Sequence, residues 1–423
     1  MNLKKTFASL SVRNYRLFFY GQLISLVGTW MQAVAQAWLV LRLTNNDGFA
    51  LGIVTAFQFL PLLLFSTHAG LLADRMDKRK VLIATQTTMG VLAAVLAALT
   101  FGHVVQLWMV DVLALLLGVA NAFDNPTRQA FVTEMVGPES LANAIGLNST
   151  IFNAARVAGP AVGAVLINVF DVGPCFLINS ASFVAVIVSL LLMRPEELLR
   201  QPIVARARGQ IREGFRYAWQ TPVLRSTLFL VGVVGTLTFN FMVILPLLAK
   251  QTFHGGAGTY GLLSAVIGFG SLVGALFVAA RSRASTALLL GSCLLCGVAC
   301  LGAAIAPTLV TELPALIVAG GASIVFVATA NTTIQLTAAP EMRGRVMALY
   351  VLLFLGTTPI GGPLVGWICR AAGARAGLLV AAGAALFAGT FGVTSAVRNG
   401  TVQLRPGGRP LVSVESPTEP ATA

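Results

Sequence analysis

Charge is what this sequence has least of. Only 10% of its 423 residues are Asp, Glu, Lys or Arg, against about 25% in an ordinary soluble domain. With so few charges and 57% hydrophobic residues, a water-exposed globular surface is excluded, and a membrane protein is expected. Acids are scarcer than bases, 15 against 28, leaving a net charge of +13. In a soluble chain that excess would suggest nucleic acid. Here the bases lie between apolar runs, where membrane orientation accounts for them, so no nucleic-acid partner is expected. Histidine is nearly absent, with three scattered copies. There is no His-Glu-x-x-His helix, no Gly-x-Ser-x-Gly elbow and no phosphate loop ending in Lys-Ser/Thr, so neither an enzyme nor a metal or cofactor is expected. Cysteine appears five times, always in apolar stretches. Cys293, Cys296 and Cys300 fall on one helical face with no His or acid nearby. They read as small packing residues rather than a redox or metal motif.

What the chain does have is long apolar runs. They lie at about 15–41, 50–73, 81–102, 104–123, 142–169, 173–193, 222–248, 258–280, 285–306, 311–335, 344–369 and 375–397. Each is long enough to span a bilayer as a helix. The first is too long for a signal core and continues through Trp38, so it reads as an uncleaved span. Twelve spans put both termini on one side. With that topology only Arg42, Lys250, Arg370 and Arg375 fall on the opposite side, and Arg156 lies within a span. Every other Lys and Arg lies on the side of the termini, which the bias of basic loops identifies as cytoplasmic.

The chain also repeats. Residues 138–163 begin Pro138-Glu139 and end Gly159-Pro160-Ala-Val-Gly163, and residues 340–366 begin Pro340-Glu341 and end Gly362-Pro363-Leu-Val-Gly366. Two parallel halves of six helices rocking about a central site follow from such a repeat. The expected division is a first half at 1–193, a basic central loop at 194–221, a second half at 222–397 and a disordered cytoplasmic tail at 398–423. Within the loop Ile211, Phe215 and Trp219 recur every four residues beside Arg212 and Arg216. That spacing predicts a short amphipathic helix on the inner membrane surface, with partner binding as the alternative.

Polar residues inside the spans are the candidates for function. Gln22, Ser25, Thr29, Gln32 and Gln36 form a stripe on the first helix, which should face a central cavity because amides in lipid need partners or water. Thr236 and Asn240 stand one turn apart on the seventh helix. Together with Trp30 and Phe152 they would line a mixed aromatic and amide cavity suited to amphiphilic ligands. Arg156 shares a face of the fifth helix with Asn148 and Phe152. Asp111 lies about two turns into the fourth. An Asp111–Arg156 pair could simply hold two helices together. Alternatively, burial would let the acid load and release a proton while Arg156 senses its charge. His68 reads as a packed histidine, and Glu312, at an outer helix end, as a snorkelling acid.

The stretch Gly70-Leu-Leu-Ala-Asp74-Arg75-Met-Asp77-Lys78-Arg79-Lys80 joins the second and third spans. It resembles the corresponding loop of the major facilitator superfamily, Gly-x-x-x-Asp-Arg-x-Gly-Arg-Arg/Lys, with Asp77 in place of the second glycine. Gly146, Arg156, Gly159, Pro160 and Gly163 sit on a helix similar to the fifth helix of that superfamily's antiporters, with Ala155 and Ala164 replacing two glycines. Arg13-Asn-Tyr-Arg16, Gly28-Thr-Trp-Met31 and the segment Asn121-Ala-Phe-Asp124-Asn-Pro126-Thr-Arg128, read as a turn after the fourth span, resemble the branch that includes enterobactin and macrolide exporters. The resemblance covers nearly the whole chain. It implies an all-α fold of two pseudo-symmetric six-helix halves and a proton-coupled exporter of a siderophore or drug, working as a monomer in the inner membrane of a bacterium. An uptake symporter or facilitator of polar solutes is the competing expectation. Asp111, Asp124, Arg128 and Arg156 are the proton-coupling candidates, and the arginine that many drug antiporters carry in the middle of the fourth span is missing here.

Overall fold

The computed structural model describes residues 7–199, 210–281 and 285–398, with the side chains of 66–75 and 210–212 left out. Among the described residues eleven helices are long and apolar enough to cross a membrane. One of them, Leu107–Phe170, has 64 residues, which at about 1.5 Å per residue is some three bilayer cores long. It is divided at Gly137, whose backbone (φ 70°, ψ 176°) leaves the helix. That conformation costs a glycine little and a β-carbon much. The chain therefore makes twelve spans: α1 (Arg13–Leu43), α2 (Gly48–Arg75), α3 (Lys78–Phe101), α4 (107–136), α5 (138–170), α6 (Gly173–Leu191), α7 (Pro222–Thr252), α8 (Ala257–Ala280), α9 (Thr286–Ile305), α10 (Leu309–Thr337), α11 (Pro340–Ala372) and α12 (Ala374–Arg398). The fold is an all-α membrane bundle with both ends of the described chain on one face, called here the terminal face.

Local signals set the ends. Asp77 caps α3, its carboxylate accepting from the N–H groups of Arg79 and Lys80, a common way to satisfy first-turn donors. Its φ of −63° is ordinary, so no left-handed residue is needed where the superfamily pattern carries glycine. Proline opens α6, α7 and α11, where its missing N–H costs nothing. α4 runs on well past 123, the end expected from hydropathy, and carries the segment 121–131 as helix. α7 is loosened by π-helical turns at Val234–Thr238 and Leu248–Thr252, and α11 breaks briefly between Phe354 and Thr358.

α1 to α6 pack together, and α7 to α12 form a second bundle. The terminal face of the first is tied by Tyr15, whose hydroxyl donates to the Ala144 carbonyl at 2.9 Å, and by Asn14, paired with the Arg194 backbone. Arg79 donates to the carbonyls of Leu190 and Leu191 at the end of α6, where cations suit the unsatisfied oxygens. The linker helix, Gln210–Gln220, rests on the second bundle. Glu213 pairs with Arg345 at 2.7 Å, and the Tyr217 hydroxyl accepts from the Ala339 N–H. Its other face carries Phe215 and Trp219, stacked on each other and more than half exposed.

Candidate functional site

The halves meet tightly at the face opposite the termini, the distal face. There α2 crosses α11 backbone to backbone: a β-carbon on Gly48 would stand 2.7 Å from the Gly366 carbonyl, and one on Gly52 would stand 2.8 Å from Pro363 Cα. α5 crosses α8 in the same way. Gly261 abuts Pro160 and Ala164, and a β-carbon on Gly268 would stand 2.8 Å from the carbonyl oxygen of Arg156. Around these contacts Asp47 pairs with Arg370 at 3.3 Å. Gln251 reaches the Asn46 carbonyl, and Lys250 lies over the Trp38 ring. All of these join one half to the other.

Toward the terminal face the same helices part. On α5 Phe152 and Ile145 are 44% and 56% exposed, and a β-carbon on Gly146 would meet nothing within 4 Å. On α11 Gly344 is equally open, and Val351 and Leu352 are about 40% exposed. The result is a cleft between the halves, open at the terminal face and sealed at the distal one.

Arg156 sits at the apex of that cleft, where the α5–α8 contact ends. Its guanidinium lies over the Trp30 ring, 5.7 Å from the centroid. Trp30 in turn meets Phe152 edge to face at 5.8 Å. Asn148 is one turn further toward the opening and near the Tyr15 hydroxyl. On the α1–α2–α7 side Gln36, Thr55, Gln58 and Met242 border a small cavity of about 20 Å³, room for about one water. Thr236 and Asn240 mark the loosened stretch of α7: the Asn240 amide donates to the Thr236 carbonyl, and Gly361 of α11 packs on that carbonyl.

The remaining candidates go elsewhere. Gln32 accepts from Asn179 of α6 at 2.7 Å, inside its own half, so the polar stripe of α1 is shared out rather than aimed at one cavity. Gln22 accepts from Arg128 at 3.0 Å. Asp124 accepts from Thr85 and Gln86 of α3 and lies 3.5 Å from Arg128. These five residues form one buried polar network linking α1, α3 and α4. Asp111 lies near the distal end of α4 with its Oδ1 covered and unpartnered, and no ion pair joins it to Arg156. Glu312 does not snorkel. It is fully buried with neither oxygen partnered, beneath a distal corner that Arg375 closes by donating to the Ala306 carbonyl.

Gly159 and Gly163 face Trp30 and Met31 of α1, inside the first half, whereas their repeats Gly362 and Gly366 face Gly52 and Gly48 of α2 across the halves. The close approach of α5 to the second half is therefore made by Pro160 and Ala164 with the glycines of α8. Lys78 is buried against Glu134 at 2.7 Å, and Arg79 and Lys80 begin α3 beside it. The side chains of Gly70's neighbours Asp74 and Arg75, and of His68, lie outside the described residues, as does that of Ile211. Glu134, Asp47 and Gln58 were missed by sequence reasoning. Their partners lie far off in the chain, and no spacing links them.

The model of a family described as transmembrane secretion effector, a branch of the major facilitator superfamily, matches residues 4–411. The chain belongs to that family. It is 27% identical over 269 residues to a staphyloferrin A transporter of Staphylococcus aureus, covering 62% of this chain and 66% of that one. It is 28% identical over 379 residues to the multidrug efflux pump Tap of Mycolicibacterium fortuitum, covering 86% and 91%. Among solved structures it resembles a bacterial homologue of the lysosomal transporter Spinster in an inward-facing, occupied conformation. The TM-score there is 0.70 at 15% identity, over 91% of this chain and 97% of that one. As a member of this family the chain is a multi-pass membrane transporter rather than an enzyme.

Proposed function

We propose that the chain exports a small amphiphilic molecule, a siderophore or a drug, across a bacterial inner membrane in exchange for protons. Both termini face the cytoplasm in this reading, which the basic residues crowding the terminal face support. The cleft is then the inward-facing state, open to cytoplasmic substrate. The observation that carries the reading is the pairing of a distal seal made of glycine and carbonyl contacts with an open cleft on the other side. Such a seal can part and re-form while each half stays intact, as alternating access requires. The efflux role named for the relative Tap supports the outward direction. In the opposite state the end of α2 bearing Gly70, Asp74 and Arg75, with the turn that follows it, would close the cytoplasmic side.

Asp111 is the first proton-binding candidate. It stands near the distal face with an oxygen that nothing in the protein satisfies, where a proton arriving from outside would reach it when the seal parts. Asp124 already holds three partners and serves better to brace its half. The test is efflux from proteoliposomes of uniform orientation, loaded in turn with carboxylate siderophores, macrolides and dyes, with acid on the distal side. Expulsion of at least one of these against its gradient is expected. Substrate accumulating inside along the proton gradient would sink the export reading. Asp111→Asn is expected to keep substrate counterflow and lose the response to pH. Full pH-driven export in that variant would remove Asp111 from coupling.

A further inference from the structure

Arg156 is the one acidic or basic residue of the described spans that lies more than about two helical turns from a helix end without an ionic partner. The others of the described spans pair, as Asp124 does with Arg128 and Lys78 with Glu134, or sit near a helix end, as Asp111, Glu312 and Lys250 do. Its guanidinium donates to no protein acceptor, and none of its nitrogens is sealed from solvent. Among the described residues, the one specific contact of its guanidinium is with the face of Trp30. No carboxylate of α5, α7, α8 or α11 lies at its depth: α8 holds no acid at all, and the acids of α5 and α11 are in their first turns at the terminal face.

From this we propose that Arg156 is the anchor for an anionic group of the transported molecule, and that the substrate class is organic anions with an aromatic or apolar body, not organic cations. The inference rests on the transport reading above and names its ligand chemistry. An unpaired cation at the apex of a cleft with apolar walls offers a carboxylate a charge-assisted, fork-shaped donor pair in a medium less screening than water. Trp30 holds the guanidinium plane by stacking. Phe152, meeting Trp30 edge to face and 44% exposed toward the opening, gives an apolar surface for the rest of the ligand. The same cation repels a lipophilic cation from the site by an equal argument of sign.

The test uses three aromatic probes of matched shape, 1-naphthoate, 1-naphthamide and 1-naphthylmethylammonium, with the full-length protein in lipid nanodiscs. Binding is read by calorimetry at neutral pH with no gradient, so failure of export or of proton coupling leaves the measurement intact. The anion is expected to bind about tenfold or more tightly than the amide, and the cation more weakly than both, a tenfold step being the usual size of one charge-assisted contact. Arg156→Gln should bring the three probes to within about twofold of each other, while Arg156→Lys, which keeps charge without the planar fork, should retain part of the preference. The wild-type ranking stands as a test even where a variant fails to fold. Equal binding of anion and amide, tighter binding of the cation, or no binding of the anion would each overturn the proposal. So would an Arg156→Gln protein that keeps the full anion preference.

Discussion

Gly52→Ala is the substitution that most directly tests how the distal seal works. A β-carbon there would stand 2.8 Å from both the Gly362 carbonyl carbon and Pro363 Cα, and closer still to the Gly362 oxygen. Ordinary carbon–carbon contact begins near 3.5–4.0 Å, so α2 and α11 must separate by the better part of an ångström. Both opposing atoms are backbone, and no side chain can rotate away. Overpacking of this kind costs about 1–3 kcal/mol, which in a two-state equilibrium is a factor of about 5–150. The cost falls on the distally closed state, in which Gly52 meets the other half, and is relieved in the proposed opposite state, where that contact parts. A population about tenfold in favour of closure would therefore fall to near parity or invert.

Spin labels at Val104→Cys and Val310→Cys, both exposed on the distal side of opposite halves, would report the change by pulsed distance measurement. All five native cysteines are buried, so labelling goes to the introduced pair. The expected result is a second, longer distance that is minor or absent without the substitution. Gly146→Ala, whose β-carbon meets nothing within 4 Å, should leave the distribution unchanged. A Gly52→Ala protein with the wild-type distribution would refute the idea that the seal depends on backbone contact.

Further expectations concern individual contacts. Glu134→Gln leaves Lys78 buried without its counter-charge and should cost about 3–5 kcal/mol of stability, read as a lower thermal unfolding midpoint. A drop of less than about 1 kcal/mol would mean the pair is hydrated. Asp47→Asn removes a partner of Arg370, which is 61% exposed, so the same spin-label distances should move only slightly and the difference should vanish in high salt. Gln32→Leu strands the buried Asn179 amide and should cost about 1–3 kcal/mol of stability. Gln36→Leu, on the cavity wall, should instead leave the unfolding midpoint near that of wild type and change the transport KM. Reversal of that pair of results would place the substrate on the α6 side of α1.

Most of the architecture was legible because bilayer thickness and the cost of bare backbone in lipid leave few options. Apolar runs therefore located the spans, and the repeat of Gly-Pro at Gly159-Pro160 and Gly362-Pro363 matched the halves. Helix ends and partners were not legible, for two reasons. Hydropathy treats any polar run as a loop, yet Asp124 and Arg128 are satisfied by Gln22, Thr85 and Gln86 inside the bundle, so α4 continues through them. Periodicity assigns a residue to a face of its own helix but does not say what lies opposite. The evenly spaced amides of α1 thus reach α4, α6 and the cavity in turn. Glu312 shows the same limit: a position at a helix end promises water only where no neighbour closes over it, and Arg375 does.

The strengths of the contacts divide along the same line as the halves. Within the first half, a buried ion pair at Lys78–Glu134 and the network around Asp124 would each leave an unsatisfied buried group if broken, at a cost of several kcal/mol for the ion pair and about 1–3 kcal/mol for a neutral partner. Between the halves, the seal consists of close backbone packing, an ion pair in which Arg370 is mostly exposed and the cation–π contact of Lys250 with Trp38. Exposed pairs and contacts of that kind are worth about 1 kcal/mol or less each. The molecule should therefore yield between its halves long before it yields inside one, and move as two rigid bodies. The seal's inner limit is the carbonyl of Arg156 against Gly268. Any motion that parts α5 from α8 must open at that residue, and an anion held on its guanidinium would then pass from one face to the other without leaving its anchor.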